Sequence, residues 1–175
     1  QRSVVAASFI AAAHRRLATS LPDFCNFDSG FCSYSNTGSY DWSRGTSTGT
    51  SGTGPQSGDH TSGSGYFMYV EASSPNYPDK GPFTLESEEF EQAAVLVTFW
   101  YNMYGAAMGT LQLDAYDSSS AAWETAWSLS GNQGTSWLEA EVALASSATR
   151  IRFVGTTGSN YQSDMAIDDV LVAAM

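Results

Sequence analysis

The chain has 175 residues, a length that fits one domain or one domain with an appendage and is enough for a sizeable core. Its formal net charge of −11, from 18 acidic against 7 basic side chains, argues against a nucleic-acid partner, because phosphate contacts need clustered Lys and Arg. Only 14% of residues are charged. Gly, Ser and Thr fill the gap beside five Trp, nine Tyr and nine Phe, a blend that favours strands joined by tight turns.

The charge is unevenly placed. Residues 1–22 hold Arg2, Arg15 and Arg16 and no acid, whereas every acid lies from Asp23 onward, offset only by Arg44, Lys80, Arg150 and Arg152. A basic head (1–22) and an acidic body (23–175) are therefore expected as separate units. "VVAASFIAAAHRRLATSL" (4–21) is Ala-rich and meets no Gly or Pro until Pro22, and Val5, Phe9, Ala12 and Ala13 fall near helical spacing. The pattern predicts a helix over about 3–18. Its apolar part is shorter than the ~20 residues of a membrane span. Basic residues follow the apolar run and no clear small-x-small site appears, unlike a secretory leader. Two uses fit: a linker or propeptide helix lying on its own domain, or an arm that docks on a partner, even a large complex, through Phe9, Arg15 and Arg16.

Cys25 and Cys32 are the two cysteines. A zinc site needs about four ligands, and two histidines add too little, so a short-loop disulfide is favoured over free buried thiols. That predicts an oxidising compartment. Next, "RGTSTGTSGTGPQSG" (44–58) reads as a mobile surface loop too polar to pack. Strands are predicted at 65–73, 94–104, 109–117, 122–130, 136–144, 149–157 and 164–173. Leu111, Leu113 and Ala115 face one way, as do Ile151, Phe153 and Gly155. "YGAAMG" (104–109) and "SGNQG" (130–134) have hairpin length, with glycines placed for positive φ. With no long helix among them, these strands predict an antiparallel sandwich.

"CNFDSGFCSYSNTGSYDWSRG" (25–45), "TGPQSGDHTSGSGYFMYVEAS" (53–73), "FWYNMYG" (99–105), "GNQGTSWLEAEV" (131–142) and "MAIDDVLV" (165–172) follow one another in that order. Together they resemble a MAM domain, an extracellular module, from about Cys25 to Val172. The resemblance implies a jelly-roll β-sandwich, here with an N-terminal helical extension, and a role in adhesion or protein–protein contact. In the family a second bridge usually starts three residues before the Phe of "FWY". That position is Leu96, and no cysteine follows Cys32 through Met175. Only the Cys25–Cys32 bridge is then expected, worth roughly 2–3 kcal/mol.

Asp28, Asp59 and the Asp168–Asp169 pair are candidate metal ligands. Neighbours in a strand point to opposite faces, so one of the last pair must turn inward or lie at a strand end. An unpaired buried carboxylate is costly, and the cations are too few to match them all. One Ca²⁺ or Na⁺ on oxygen ligands from Asp28, Asp59 and Asp168 answers that problem. Some members of the family hold such an ion between the N-terminal strand and the loop matching 58–62. The alternative is that Asp59 and Asp168 accept backbone N–H bonds.

No catalytic residue is assigned. His60 is the one histidine of the body, adjacent residues rarely form a triad, and no nucleophile elbow is present. Glu88 and Glu89 read as an acidic turn rather than a glycosidase pair. The tryptophans mostly match strand positions and are expected in the core, although an exposed Trp/Tyr row would bind sugar. The sequence thus predicts a non-catalytic interaction or adhesion module of an extracellular, cell-surface or other oxidising compartment. A carbohydrate-binding sandwich is the alternative.

Overall fold

The computed structural model describes residues 18–174. Apart from Ala18, the predicted helix lies outside the described residues, and so do Phe9, Arg15 and Arg16. In chain order the strands are β1 (Asp23–Cys25), β2 (Tyr34–Asn36), β3 (Ser43–Gly45), β4 (Phe67–Val70), β5 (Phe83–Ser87), β6 (Ala94–Asn102), β7 (Thr110–Asp117), β8 (Ala122–Ser130), β9 (Leu138–Thr156) and β10 (Met165–Ala173). No described helix is long and apolar enough to cross a membrane.

The ten strands pair antiparallel as one sheet curled on itself, a jelly-roll sandwich. The long strand β9 belongs to both layers. From Leu138 to Ala143 it pairs with β6, and further on, between Arg150 and Thr156, it pairs with β7 and β5. One layer runs β9–β6–β10, with β1 and β4 side by side on the far edge of β10 and β3 beyond β4. The other runs β8–β7–β9–β5–β2. Alternation fills the space between them: Val97, Phe99 and Tyr101 from β6 meet Leu111 and Leu113 from β7 and Ile151 and Phe153 from β9, all buried. The Phe99 ring lies 5.0 Å from that of Phe153 and 5.3 Å from that of Trp127 on β8. Gly155 lets the layers close, because a Cβ there would come within 2.7 Å of Val70 Cγ2.

The structure corrects several expectations. The strands predicted at 136–144 and 149–157 are one strand of 19 residues. The links 104–109 and 130–134 are not hairpins: β6 does not pair with β7, nor β8 with β9, so both carry the chain between layers. Gly131 and Gly134 do have positive φ (82° and 87°). Gly105 and Gly109 are instead needed for close approach, to the carbonyls of Gln162 and Thr156. The loop 44–58 packs after all. Thr48 and Thr53 are buried, and Asp164 N–H donates to Thr53 Oγ1 at 2.8 Å. Of the tryptophans only Trp42 is fully buried, and its indole N–H donates to the Phe83 carbonyl at 2.9 Å. The other four are half-buried.

Candidate functional site

The residues from 58 to 66 lie over the face of β6 and β10 that turns away from the core. Ile167 sits opposite buried Tyr101, so the next pair, Asp168 and Trp100, points outward. A bulge between Asp168 and Leu171 then inserts an extra residue. Asp169 takes φ 45° there, and Val170 resumes the inward row. The bulge is how two adjacent acids come to serve one loop.

Five contacts hold that loop down. The His60 ring stacks on Trp100, with centroids 3.6 Å apart and planes 13° apart. His60 N–H donates to Asp168 Oδ2 at 2.9 Å, and His60 Nδ1 meets Asp169 Oδ2 at 2.7 Å. Thr61 Oγ1 donates to the same Asp169 oxygen. Trp137 Nε1–H donates to the Gly58 carbonyl at 3.0 Å. Within the loop, Asp59 accepts Gly65 N–H at 2.8 Å, Ser62 N–H at 3.0 Å and the Ser62 hydroxyl at 3.0 Å. This is a local carboxylate turn of the kind Asp forms with following amides.

The cystine loop meets this platform from the side. Cys25 and Cys32 are bonded, with Cα atoms 6.1 Å apart. The turn they close offers Asp28, whose Oδ1 accepts Tyr66 N–H at 2.8 Å and whose Oδ2 accepts Asn26 Nδ2–H at 3.1 Å. Arg44 donates to the Phe27 and Asp28 carbonyls, and its guanidinium lies 3.8 Å from the Tyr66 ring centroid. Asp28 and Asp59 converge on Gly65. A Cβ there would strike Asp28 Oδ1 and come within 2.8 Å of Asp59 Oδ2. Asp168 stands behind, both of its oxygens accepting backbone amides, those of His60 and Asp169. Among the described residues no three Asp, Glu, His or Cys side chains gather as a ligand set.

The environment divides these acids. Burial alone would push the Asp59 carboxyl up, but the Gly65 and Ser62 amides and the Ser62 hydroxyl outweigh it and hold it below its ordinary value. Asp168 goes the other way. Burial raises it to about 7 against its two amide donors, and the charges of Asp169 and Asp59 add to the rise. Asp164, at the start of the 44–58 contact, behaves alike: burial lifts it to about 7 against the Ala72 amide, with Glu71 adding. Its Oδ1 accepts Ala72 N–H at 2.8 Å, and Oδ2 has no hydrogen-bond partner among the described residues. No sequence pattern singled out Asp164. Only its burial does.

The family model of the MAM domain (meprin/A5/mu) matches residues 25–175. The chain belongs to the MAM domain family. Mouse MAM domain-containing protein 2 is 37% identical over 158 residues, covering 87% of this chain and 23% of that protein. Human MAM domain-containing glycosylphosphatidylinositol anchor protein 1 is 34% identical over 157 residues, covering 83% and 16%. The chain thus spans a quarter or less of these curated relatives. Among solved structures, the K1 cleaved adhesin domain of Lys-gingipain from Porphyromonas gingivalis W83 superposes with TM-score 0.64 at 13% identity, covering 87% of this chain and 97% of that one. TmCBM61 in complex with β-1,4-galactotriose gives 0.53 at 15% identity, covering 86% and 94%. These last two show the same fold. Family and disulfide together mark an extracellular or cell-surface domain, as the cysteines suggested.

The acid environments make a pH prediction. The fold favours neutral Asp164, so its contribution is complete below pH 3.8 and is lost as pH rises through about 7. Asp164→Asn, an uncharged isostere, should therefore gain stability relative to the parent chain as pH rises from about 4 to 8, by about 1.4 kcal/mol per pKa unit removed. Thermal melts across that range check it, and a pH-independent difference between the two chains contradicts it.

Proposed function

We propose that this MAM domain is a non-catalytic protein-interaction or adhesion module. One observation carries the proposal: the chemistry-bearing side chains of the 58–66 loop are spent on holding the loop. His60 is bonded to Asp169 and stacked on Trp100, while Ser62 is bonded to Asp59. A hydrolytic site would instead need His60 aimed at a serine. What remains is a polar platform, rigid because each group is bonded, with Tyr66 exposed beside it. Display of the full chain on beads should give protein-dependent clustering or capture of a discrete partner. His60→Ala should loosen the loop, with amide exchange at 58–65 rising by roughly the fivefold that about 1 kcal/mol implies. Turnover of any substrate that is lost in His60→Ala contradicts the proposal.

The same platform fits a hard cation. Two carboxylate oxygens meet where Gly65 lacks a side chain, and a Ca²⁺ or Na⁺ held by Asp28 and Asp59, with Asp168 behind, would tie the cystine loop to the 58–66 loop. Chelator-stripped protein titrated with Ca²⁺ should release heat and melt higher, by about 2.7 kcal/mol of stability at a hundredfold excess over Kd. Asp28→Asn combined with Asp59→Asn should lose both effects. An absent heat and an unmoved melt remove the ion and leave the interaction role standing.

A second function, glycan binding, is favoured by the outward face of the other layer. Arg150 lies 4.2 Å from the Tyr116 ring centroid and Arg152 4.3 Å from that of Trp123. Glu86 and Asp114 pair with these arginines at 2.6 and 3.0 Å. Aromatic faces beside fixed donors and acceptors suit sugar rings, and TmCBM61 was solved with β-1,4-galactotriose on the same fold. A glycan array should give hits that Trp123→Ala abolishes, and an array without hits removes this second role.

A further inference from the structure

Strand β8 forms the edge of its layer. It pairs with β7 alone, through every one of its nine residues except Ala126. Among the described residues the one other hydrogen bond to its backbone is at its end, from Gln133 Nε2 to the Ser130 carbonyl at 3.2 Å. Alternate N–H and C=O groups along β8 therefore face away from β7, as a template for another strand. Exposed edges are commonly blunted by Lys, by Pro or by being very short, and β8 has none of these. Its one irregularity is the bulge at Ala126, between the pairs Leu113–Trp127 and Asp114–Thr125. Beside that bulge lies a cavity of about 140 Å³, in the corner where β9 passes from one layer to the other. Ala115, Ala126, Leu144 and Ala148 give it apolar walls, and Asp117 and Glu124 supply its charge. Neither of these carboxylates is in an ion pair among the described residues. An apolar cavity of ~150 Å³ holds a benzene-sized group, so this one has room for a single Leu or Phe side chain.

We propose that β8 is a docking edge for an extended segment of a partner protein. The segment adds a strand to the β8–β7–β9–β5–β2 layer and places one apolar side chain in the cavity. Main-chain bonds to a sheet edge supply affinity, and pockets for alternate side chains supply specificity. Residues two apart in a strand share a face, so Lys or Arg two positions to either side of the apolar residue meet Asp117 and Glu124. Charge selects this occupant over a second copy. Two β8 edges brought together would set Asp117 and Glu124 of one against those of the other, in chains of net charge −11. The edge belongs to the layer opposite the 58–66 platform, and capture on beads and docking at β8 are separate measurements, so either fails without the other.

The probe is a synthetic peptide of alternating Thr and Val, with one central Leu and a Lys two positions to either side of it. Titrated into the full chain, it should bind and slow exchange of the outward amides of 122–130, and raised salt should weaken it. Methylating one alternate set of peptide amides should abolish binding and methylating the other set should not, because one edge of the peptide faces β8. Ala126→Lys, which sets a long cation beside the cavity, should weaken binding roughly tenfold, and Asp117→Asn combined with Glu124→Gln roughly threefold. Thermal melts matching the parent chain show that these variants fold, and the methylated peptides need no variant. No binding, equal binding of the two methylated peptides, or protection at 138–145 in place of 122–130 each overturns the proposal. So does protection of the outward amides before peptide is added. An edge covered in that way is taken by its own chain or, where the protection grows with protein concentration, by a second copy.

Discussion

The structure depends on how a strongly acidic chain buries carboxylates with few cations to answer them. Four basic side chains serve the body, and none is hydrogen-bonded to the carboxyl oxygens of the buried acids Asp59, Asp164 or Asp168. Backbone N–H groups take the place of cations. Asp59 folds its own loop around the Gly65 and Ser62 amides, Asp168 holds the amides of His60 and Asp169, and Asp164 holds that of Ala72. Each bond fixes a stretch of Gly, Ser and Thr that could not bury itself by hydrophobic contact, so polar loops become part of the folded body. Where the donors suffice, as at Asp59, the ionised form is favoured. Where burial outruns them, as at Asp164 and Asp168, the neutral form is.

The same rule separates what the sequence made legible from what it did not. Strands with a long uninterrupted period stood out: β8 has the predicted bounds, 122–130, and the inward row of Leu111, Leu113 and Ala115 is buried as read. The short strands β1, β2, β3 and β5 show too little of a period to be seen, whereas the equally short β4 lies inside the predicted 65–73. The burial of the 44–58 loop was hidden because its anchor, Asp164, lies 111 positions from Thr53 in the chain. The links 104–109 and 130–134 have hairpin length because a step between two layers about 10 Å apart is as short as a turn. Length alone does not distinguish the two.

At the candidate site the residues were legible and their grouping was not. Asp28, Asp59 and Asp168 could each be picked out, and the alternative that Asp59 and Asp168 accept backbone N–H bonds is what their oxygens do. The Asp168–Asp169 pair could be seen as an anomaly in a strand, but the bulge that turns one to the His60 amide and the other to its ring is a tertiary feature. His60 is a packing residue as well as a hydrogen-bonding one, and its partner Trp100 is half-buried because the ring of His60 covers it. Trp42 is buried between the layers with its N–H satisfied, and Trp127 packs against the same core while half-buried.

The missing second bridge of the family bears on the outer face of the same layer. Leu96 sits opposite Ala173 on one side and Ala143 on the other, all at the end of the sheet where β1 begins. Three apolar side chains occupy the surface that a cystine would cross, so cohesion there comes from apolar contact between adjacent strands rather than from a covalent link. Such contacts can rearrange, whereas the Cys25–Cys32 loop cannot without breaking a bond. The covalently closed end of this layer is therefore the one that carries Asp28, Asp59 and His60, and the end at Leu96 is held by hydrogen bonds and packing alone.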